Sequence, residues 1–325
     1  MGLRAYTESE LELLLAEREA KLRNLDINLF FTEDGFWKFC QWWDQGFFKD
    51  EKFILKDLAK IYEDMILFDK YKKVIVSIFP RAGKSYLTTL LCTWLFAMPN
   101  STPYGTKSQI MRNSYDDDMA KKFSRDALSI LANPKYRLKF PQVRMSKKVK
   151  ETLSWSLEGA TEYSYTGAGL DSGITGKGVK SLRILDDPHK GYKEVLSDAM
   201  STRSWQNYIT THLSRDDHAS NCKDIIIGTR WGTSDIIGRV LATSEKGAWT
   251  EFVFPLLDEN DKSICEAMCP TERALEIKHI YQKSGEYHIF EAAYQGNPVE
   301  AEDILFPPKK LQYFKKKEIY KKEVT

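Results

Sequence analysis

No stretch of this chain is apolar for long enough to span a bilayer, and no basic-then-apolar leader opens it, so neither a membrane span nor a signal peptide is expected. Met1-Gly2 is followed by Tyr6 where a myristoylation signal needs Ser or Thr. Cysteine is scarce: Cys40, Cys92, Cys222, Cys265 and Cys269 make an odd set of five with no Cys-x-x-Cys pair. Cys265 and Cys269 lie four apart, but no His or Cys cluster completes a zinc site. The five therefore read as reduced thiols rather than a disulfide framework. An excess of one charge is also missing. Lys and Arg number 48 against 46 Asp and Glu, a net charge of +2, so any surface for a polyanion has to be local. There is no internal repeat and no low-complexity segment.

What is present is enough for a sizeable core. The 325 residues are 42% hydrophobic and 13% aromatic, which suits one large domain or a core with a subdomain. The most informative stretch is Val74–Ser85, VIVSIFPRAGKS. It begins as a buried strand, breaks at Pro80 and ends in Gly83-Lys84-Ser85. From Tyr86 to Met98 the chain runs on as an apolar helix with no breaker before Pro99. Strand, tight loop, Gly-Lys-Ser and helix form the layout of a phosphate-binding loop. Backbone amides of Pro80–Tyr86 (Pro80 itself has none) and the helix N-terminus make a nest for phosphate oxygens. In that layout Lys84 reaches the β- and γ-phosphates and Ser85 holds magnesium. One element of the pattern is absent: the first glycine of G-x-x-x-x-G-K-[ST] falls on Ile78.

A second constellation is Ser181–Pro188, SLRILDDP, an apolar strand ending in Asp186-Asp187. In a parallel α/β sheet this puts carboxylates at the carboxyl edge, beside the phosphate loop. Asp186 is expected to hold the magnesium ion through its water shell, and Asp187 to orient the attacking water. A third strand, Asp224–Gly228, leads into Thr229-Arg230-Trp231, and Thr229 at its end is positioned to sense the γ-phosphate. Other expected elements are helices over Thr7–Leu25, Lys56–Phe68, Tyr115–Leu131, Val195–Ser214, Thr271–Lys283 and Tyr287–Tyr294. A strand is expected over Gln109–Ser114, a hairpin within Glu151–Tyr165, and a flexible glycine-rich loop through Gly167, Gly169, Gly173, Gly176 and Gly178. The aromatics between Phe30 and Phe48 read as core packing. Phe53, Lys56 and Tyr62, just before the loop strand, are candidates for the adenine side. The seven lysines within Lys309–Lys322 read as a solvated basic linker.

Taken in order, these pieces resemble the large terminase subunit of tailed bacteriophages, specifically its N-terminal ATPase domain. The resemblance rests on Phe79–Ser85, on Asn113-Ser114-Tyr115 with Phe123-Ser124-Arg125, and on Thr175-Gly176-Lys177-Gly178 ahead of Leu185-Asp186-Asp187-Pro188. Thr229-Arg230-Trp231 with Asp235 and Gly238, and Tyr294-Gln295 with Asn297-Pro298, complete it. It implies an α/β P-loop NTPase of the ASCE type, with a mainly parallel sheet flanked by helices and a small lid subdomain. The implied divisions are an N-terminal helical segment (1–70), an ATPase core (71–255), a lid (256–310) and a basic linker (311–325). It implies ATP and Mg²⁺ as ligands, and a motor that drives double-stranded DNA into procapsids through non-specific backbone contacts. The implied partners are the portal protein, the small terminase subunit and further copies in a ring, in the host cell cytoplasm and away from membranes. Arg81 is then the loop arginine at the phosphates, and Lys177, Arg203 and Arg125, in falling order, are candidates for the basic residue given to a neighbour's site. Asp187 stands where many such ATPases carry glutamate, shorter by about 1.5 Å of reach. The clustered acids of the family's nuclease domain have no counterpart here, so nuclease activity is not expected. Two other readings stay open: a helicase-like DNA-dependent ATPase, and a nucleotide-binding module that docks on a portal without hydrolysis.

Overall fold

Strand β1 (Lys73–Ile78) explains why its sequence is apolar without alternation: both of its faces are covered. Val74 and Val76 face one helical layer, and Ile75 faces another. The structure, a computed structural model, describes residues 26–172, 178–215 and 222–299. The helix expected over Thr7–Leu25 and the lysine-rich 309–322 lie outside the described residues.

The chain runs α1 (Gly35–Trp43), α2 (Phe53–Ile66), β1, α3 (Lys84–Ala97), β2 (Ile110–Ser114), α4 (Asp117–Ala132), α5 (Pro134–Lys139), β3 (Met145–Lys150), β4 (Ser154–Leu157), β5 (Tyr165–Gly169) and β6 (Leu182–Asp186). It continues through α6 (Tyr192–Leu196), α7 (Asp198–Asn207), β7 (Lys223–Gly228), α8 (Ile236–Thr243), β8 (Thr250–Phe254), α9 (Thr271–Lys283) and α10 (Tyr287–Gln295). The strands form one sheet in the order β3-β4-β5-β2-β6-β7-β1-β8. From β5 to β8 all neighbours are parallel, while β3-β4 and β4-β5 are antiparallel. This is an α/β fold of the ASCE P-loop type: the acidic strand β6 is separated from the loop strand β1 by one further strand, β7. The expected neighbourhood of the Thr229 strand and the acidic strand is present, in register from Leu182↔Lys223 to Asp186↔Ile227.

Helices α1, α2 and α3 cover one face over Val74, Val76, Ile184, Ile225 and Ile227. Tyr208, Ile236, Ile237 and Val240 cover the other over Ile75, Leu185 and Ile226. The early aromatics pack as core: Phe30, Phe36, Phe39 and Phe48 are buried, and Phe36 meets Trp94 of α3 at 4.8 Å between centroids. Leu256, Leu257, Cys265, Ala274 and Phe290 belong to the same buried cluster as Val74 and Val76. The Tyr294-Gln295-Gly296 stretch explains how α10 docks. The Tyr294 carbonyl accepts from Leu256 N–H, and the Gln295 amide makes two hydrogen bonds to the Leu257 backbone. Gly296, at φ 66°, ends the helix where a Cβ would come within 2.5 Å of Val253.

Three expectations need correction. The single helix over Val195–Ser214 is two helices and a π-helical turn, Tyr208–His212. Ser197 breaks it, because its hydroxyl caps α7 by accepting from Met200 N–H. Gly167 and Gly169 belong to strand β5 rather than to a flexible loop. A Cβ on Gly169 would lie 2.6 Å from the Asp116 and Asp117 backbone, so close approach of α4 demands glycine there. The helix before β1 starts at Phe53 and ends at Ile66, a few residues earlier at each end than Lys56–Phe68.

Candidate nucleotide site

The turn between β1 and α3 is shaped by two residues with positive φ. Gly83, at φ 88°, is the N-cap of α3, and no side chain caps that helix; of its first-turn amides, Tyr86 N–H donates to the Gly83 carbonyl at 3.1 Å. A Cβ on Gly83 would lie 2.8 Å from the Phe47 ring, so that ring closes one side of the loop. Arg81, exposed and at φ 63°, holds a conformation that costs a non-glycine residue energy. Among the described residues its side chain has no hydrogen-bonding or ionic partner. Pro80 is half-buried and Ala82 buried, and Tyr86 donates its hydroxyl to Asp44 Oδ2 at 3.1 Å.

The acidic strand meets this loop through two pairs. Ser85 Oγ donates to Asp186 Oδ1 at 3.0 Å, and Lys84 Nζ lies 3.1 Å from Asp187 Oδ1. Asp187, at φ 50°, is fixed through its backbone: its N–H donates to the Ile227 carbonyl and its own carbonyl accepts from Tyr115 N–H. Burial pushes the Asp187 carboxyl above its ordinary range; Lys84 and the Thr229 backbone pull it down, and Asp186 adds to the rise. Thr229 Oγ1 donates to the Ile78 carbonyl at 3.3 Å, so the residue after β7 touches the root of the β1–α3 loop. Thus Lys84, Ser85, Asp186, Asp187 and Thr229 come together at one sheet edge. Lys177 and Thr175 lie outside the described residues. Arg203 and Arg125 are exposed, Arg203 lying 3.7 Å from Asp171, and neither joins the cluster. Tyr62 is fully buried with its hydroxyl 3.1 Å from Thr88 Oγ1, which removes it as an adenine contact.

Two sets of residues at the site were not anticipated. Arg112, fully buried on β2, pairs with Asp186 Oδ2 at 2.5 Å and donates to Thr89 Oγ1 at 2.8 Å and to the Ser85 carbonyl at 2.9 Å. Burial works against its charge, but the surrounding groups, the Asp186 carboxylate foremost, together raise the guanidinium above its ordinary range. Its signal in the sequence was a lone arginine in the otherwise apolar start of β2. The second set lies beyond Asp187. His189 Nε2 accepts from Ile236 N–H at 2.9 Å, and Nδ1 faces Glu194 Oε1 at 3.3 Å. Glu194 also accepts from Ser204 Oγ at 2.6 Å and from Lys190 N–H at 2.9 Å. Burial raises the Glu194 carboxyl, but these donors outweigh it and hold the group at about 2. Tyr192 Oη lies 2.8 Å from His288 Nε2 on α10. The Thr229-Arg230-Trp231 motif and Asp235, both singled out from the sequence, meet here: Asp235 caps α8 and grips Arg230 and Trp231 N–H.

Among the described residues no cluster of three His, Cys, Asp or Glu side chains forms a metal cage. The donors fit magnesium nonetheless, which usually takes one or two protein oxygens with phosphates and water; Ser85 Oγ and Asp186 are such a pair.

No protein-family model and no curated protein matches the chain. Solved structures do. The ATPase domain of the large terminase of Thermus phage P74-26 aligns over 72% of this chain and 91% of that one, at 14% identity and TM-score 0.39. A point mutant of that domain gives the same figures. The large terminase of bacteriophage HK97 aligns over 71% of this chain and 46% of that one, at 16% identity and TM-score 0.42. The chain is similar to phage large terminases. Among the described residues no helix is long and apolar enough to cross a membrane.

Proposed function

We propose that this chain is a magnesium-dependent ATPase whose turnover drives double-stranded DNA into a viral procapsid. The observation that carries the ATPase reading is the pair of contacts Ser85–Asp186 and Lys84–Asp187, which join an uncapped helix N-terminus to the acidic strand. In this reading the uncapped amides of α3 and the loop Pro80–Tyr86 receive the phosphates. Lys84 leaves Asp187 for the β- and γ-phosphates, freeing the carboxylate to orient a water molecule in line with the γ-phosphate. Arg81, already exposed and held at positive φ, swings onto the phosphates and stabilises the charge that develops. Ser85 and Asp186 hold magnesium, which when bound neutralises phosphate charge. Lys177 completes the site of a neighbouring subunit in a ring.

The DNA-packaging part of the reading rests on the ordered motifs of the sequence. Residues 1–70 act as a helical segment, 71–255 as the ATPase core, 256–310 as a lid and 311–325 as a linker. The Thr229 hydroxyl, at the loop root, and Tyr192, beside His288, are the contacts through which loss of phosphate reaches the lid. The lid then moves DNA gripped by its backbone, with the motor docked on a portal and guided by a small subunit in the host cytoplasm. The test is phosphate release by the full chain with DNA and its assembly partners. Wild type is expected to hydrolyse ATP, and Lys84→Ala and Asp187→Ala to reduce turnover by about 10²-fold or more. Equal inactivity of all three would overturn the reading.

A further inference from the structure

Arg112 is a buried cation with no place in the phosphate loop or the acidic pair, yet it touches both. We propose that Arg112 is a positioning residue that fixes Ser85 and Asp186 relative to each other, and thereby sets the affinity of the site for the divalent cation accompanying the nucleotide. This rests on the ATPase reading above. The geometry is specific. One terminal nitrogen donates both to Asp186 Oδ2, at 2.5 Å, and to the Ser85 carbonyl, at 2.9 Å. The other donates to Thr89 Oγ1 at 2.8 Å, and Thr89 Oγ1 itself donates to the same Ser85 carbonyl at 2.9 Å. The guanidinium carbon lies 3.9 Å from the Phe123 ring centroid, so α4 braces the plane from outside. A single rigid fork thus spans β2, β6 and the first turn of α3. The Ser85 hydroxyl then reaches the remaining Asp186 oxygen at 3.0 Å.

Stability alone is a weak reason for such a pair. A fully buried ion pair loses much of its attraction to desolvation, and apolar replacements of similar volume often serve as well. Here the buried acid is one of the two protein donors that fit magnesium, and the other donor sits on the residue whose carbonyl Arg112 holds. The fork keeps Asp186 Oδ2 occupied, so the carboxylate presents only Oδ1, on the Ser85 side. Lysine keeps the charge but offers one nitrogen, which cannot hold Thr89, Ser85 and Asp186 in the same fixed plane.

The experiment is fluorescence titration of the full chain with a ribose-labelled ATP, in EDTA and across a magnesium series, for wild type, Arg112→Lys and Thr89→Val. Wild type is expected to bind more tightly as magnesium rises. Arg112→Lys should bind within about twofold of wild type in EDTA, yet need about tenfold more magnesium for half-saturation, the loss of roughly one charge-assisted hydrogen bond. Thr89→Val keeps the guanidinium but removes the hydroxyl that links it to the Ser85 carbonyl, and should shift half-saturation by about threefold. If Arg112→Lys does not fold, Thr89→Val decides. Unchanged magnesium half-saturation in the folded variants, or an equal loss with and without magnesium, would overturn the proposal while leaving the ATPase reading intact. A wild-type chain whose ATP binding ignores magnesium would overturn both.

Discussion

Replacing Arg81 by glycine should separate folding from function. Arg81 sits at φ 63°, where an L-residue pays about 1–2 kcal/mol that glycine does not. Glycine in turn loses more backbone entropy on folding, about 0.5–1 kcal/mol. The exposed side chain has no partner among the described residues, so nothing else is lost in the free protein. Arg81→Gly should therefore be as stable as wild type or more stable by up to about 1.5 kcal/mol. Its affinity for ATP should nevertheless fall about 10–100-fold, because a charge-assisted hydrogen bond to phosphate, worth roughly 1.5–3 kcal/mol, is gone. Urea denaturation measures the first quantity and titration with labelled ATP the second. A variant destabilised by more than about 1 kcal/mol, or one that binds ATP as well as wild type, would refute the idea that strain at Arg81 is kept for the phosphates.

Other perturbations should behave as follows. Gly83→Ala meets both a left-handed backbone and the Phe47 ring at 2.8 Å, so it should lose about 2–4 kcal/mol in denaturation; adding Phe47→Leu should recover the packing share alone. Glu194 titrates at about 2 against an ordinary 4.5, so the stability it adds is complete above the ordinary value and lost as pH falls from there to about 2. After allowance for partial exposure that loss is about 1–3 kcal/mol, and acid denaturation of Glu194→Gln should not show it. Asp187 has the opposite sign. Its raised carboxyl costs stability as pH rises through it, and if Asp187 orients the attacking water as proposed, hydrolysis should fail on the acid side at a pH above the ordinary 3.8. A pH–rate profile reads that limb, and Asp187→Asn should abolish the activity at every pH.

The centre of the architecture was legible because its two key strands carried their own punctuation. The apolar run before Pro80 and the run ending in Asp186-Asp187 each gave a strand and its carboxyl end. The parallel pairing then brought Ser85 and Asp186 together across 101 residues. The missing glycine at Ile78 did not prevent a tight turn, because strand β1 continues through that position and the left-handed residues are Arg81 and Gly83. What stayed hidden depended on tertiary contacts. Gly169 looks like loop flexibility until the α4 backbone is seen to lie against it. Ser197 is one serine in a helical pattern, and only its hydrogen bond to Met200 shows a cap. Arg112 gave a signal without a partner, since nothing local indicates that a β2 side chain meets the end of β6. Phe47 gave none, because a ring in an aromatic-rich stretch reads as core whether or not it closes the turn between β1 and α3.

The most direct test of the account is a structure of the chain with magnesium and a non-hydrolysable ATP analogue. The account predicts the phosphates on the Arg81–Ser85 loop, Lys84 moved from Asp187 to the phosphates, the metal beside Ser85 and Asp186, and Asp187 facing the terminal phosphate. Nucleotide bound elsewhere, or bound at the loop with the Lys84–Asp187 pair of 3.1 Å still closed, would contradict it.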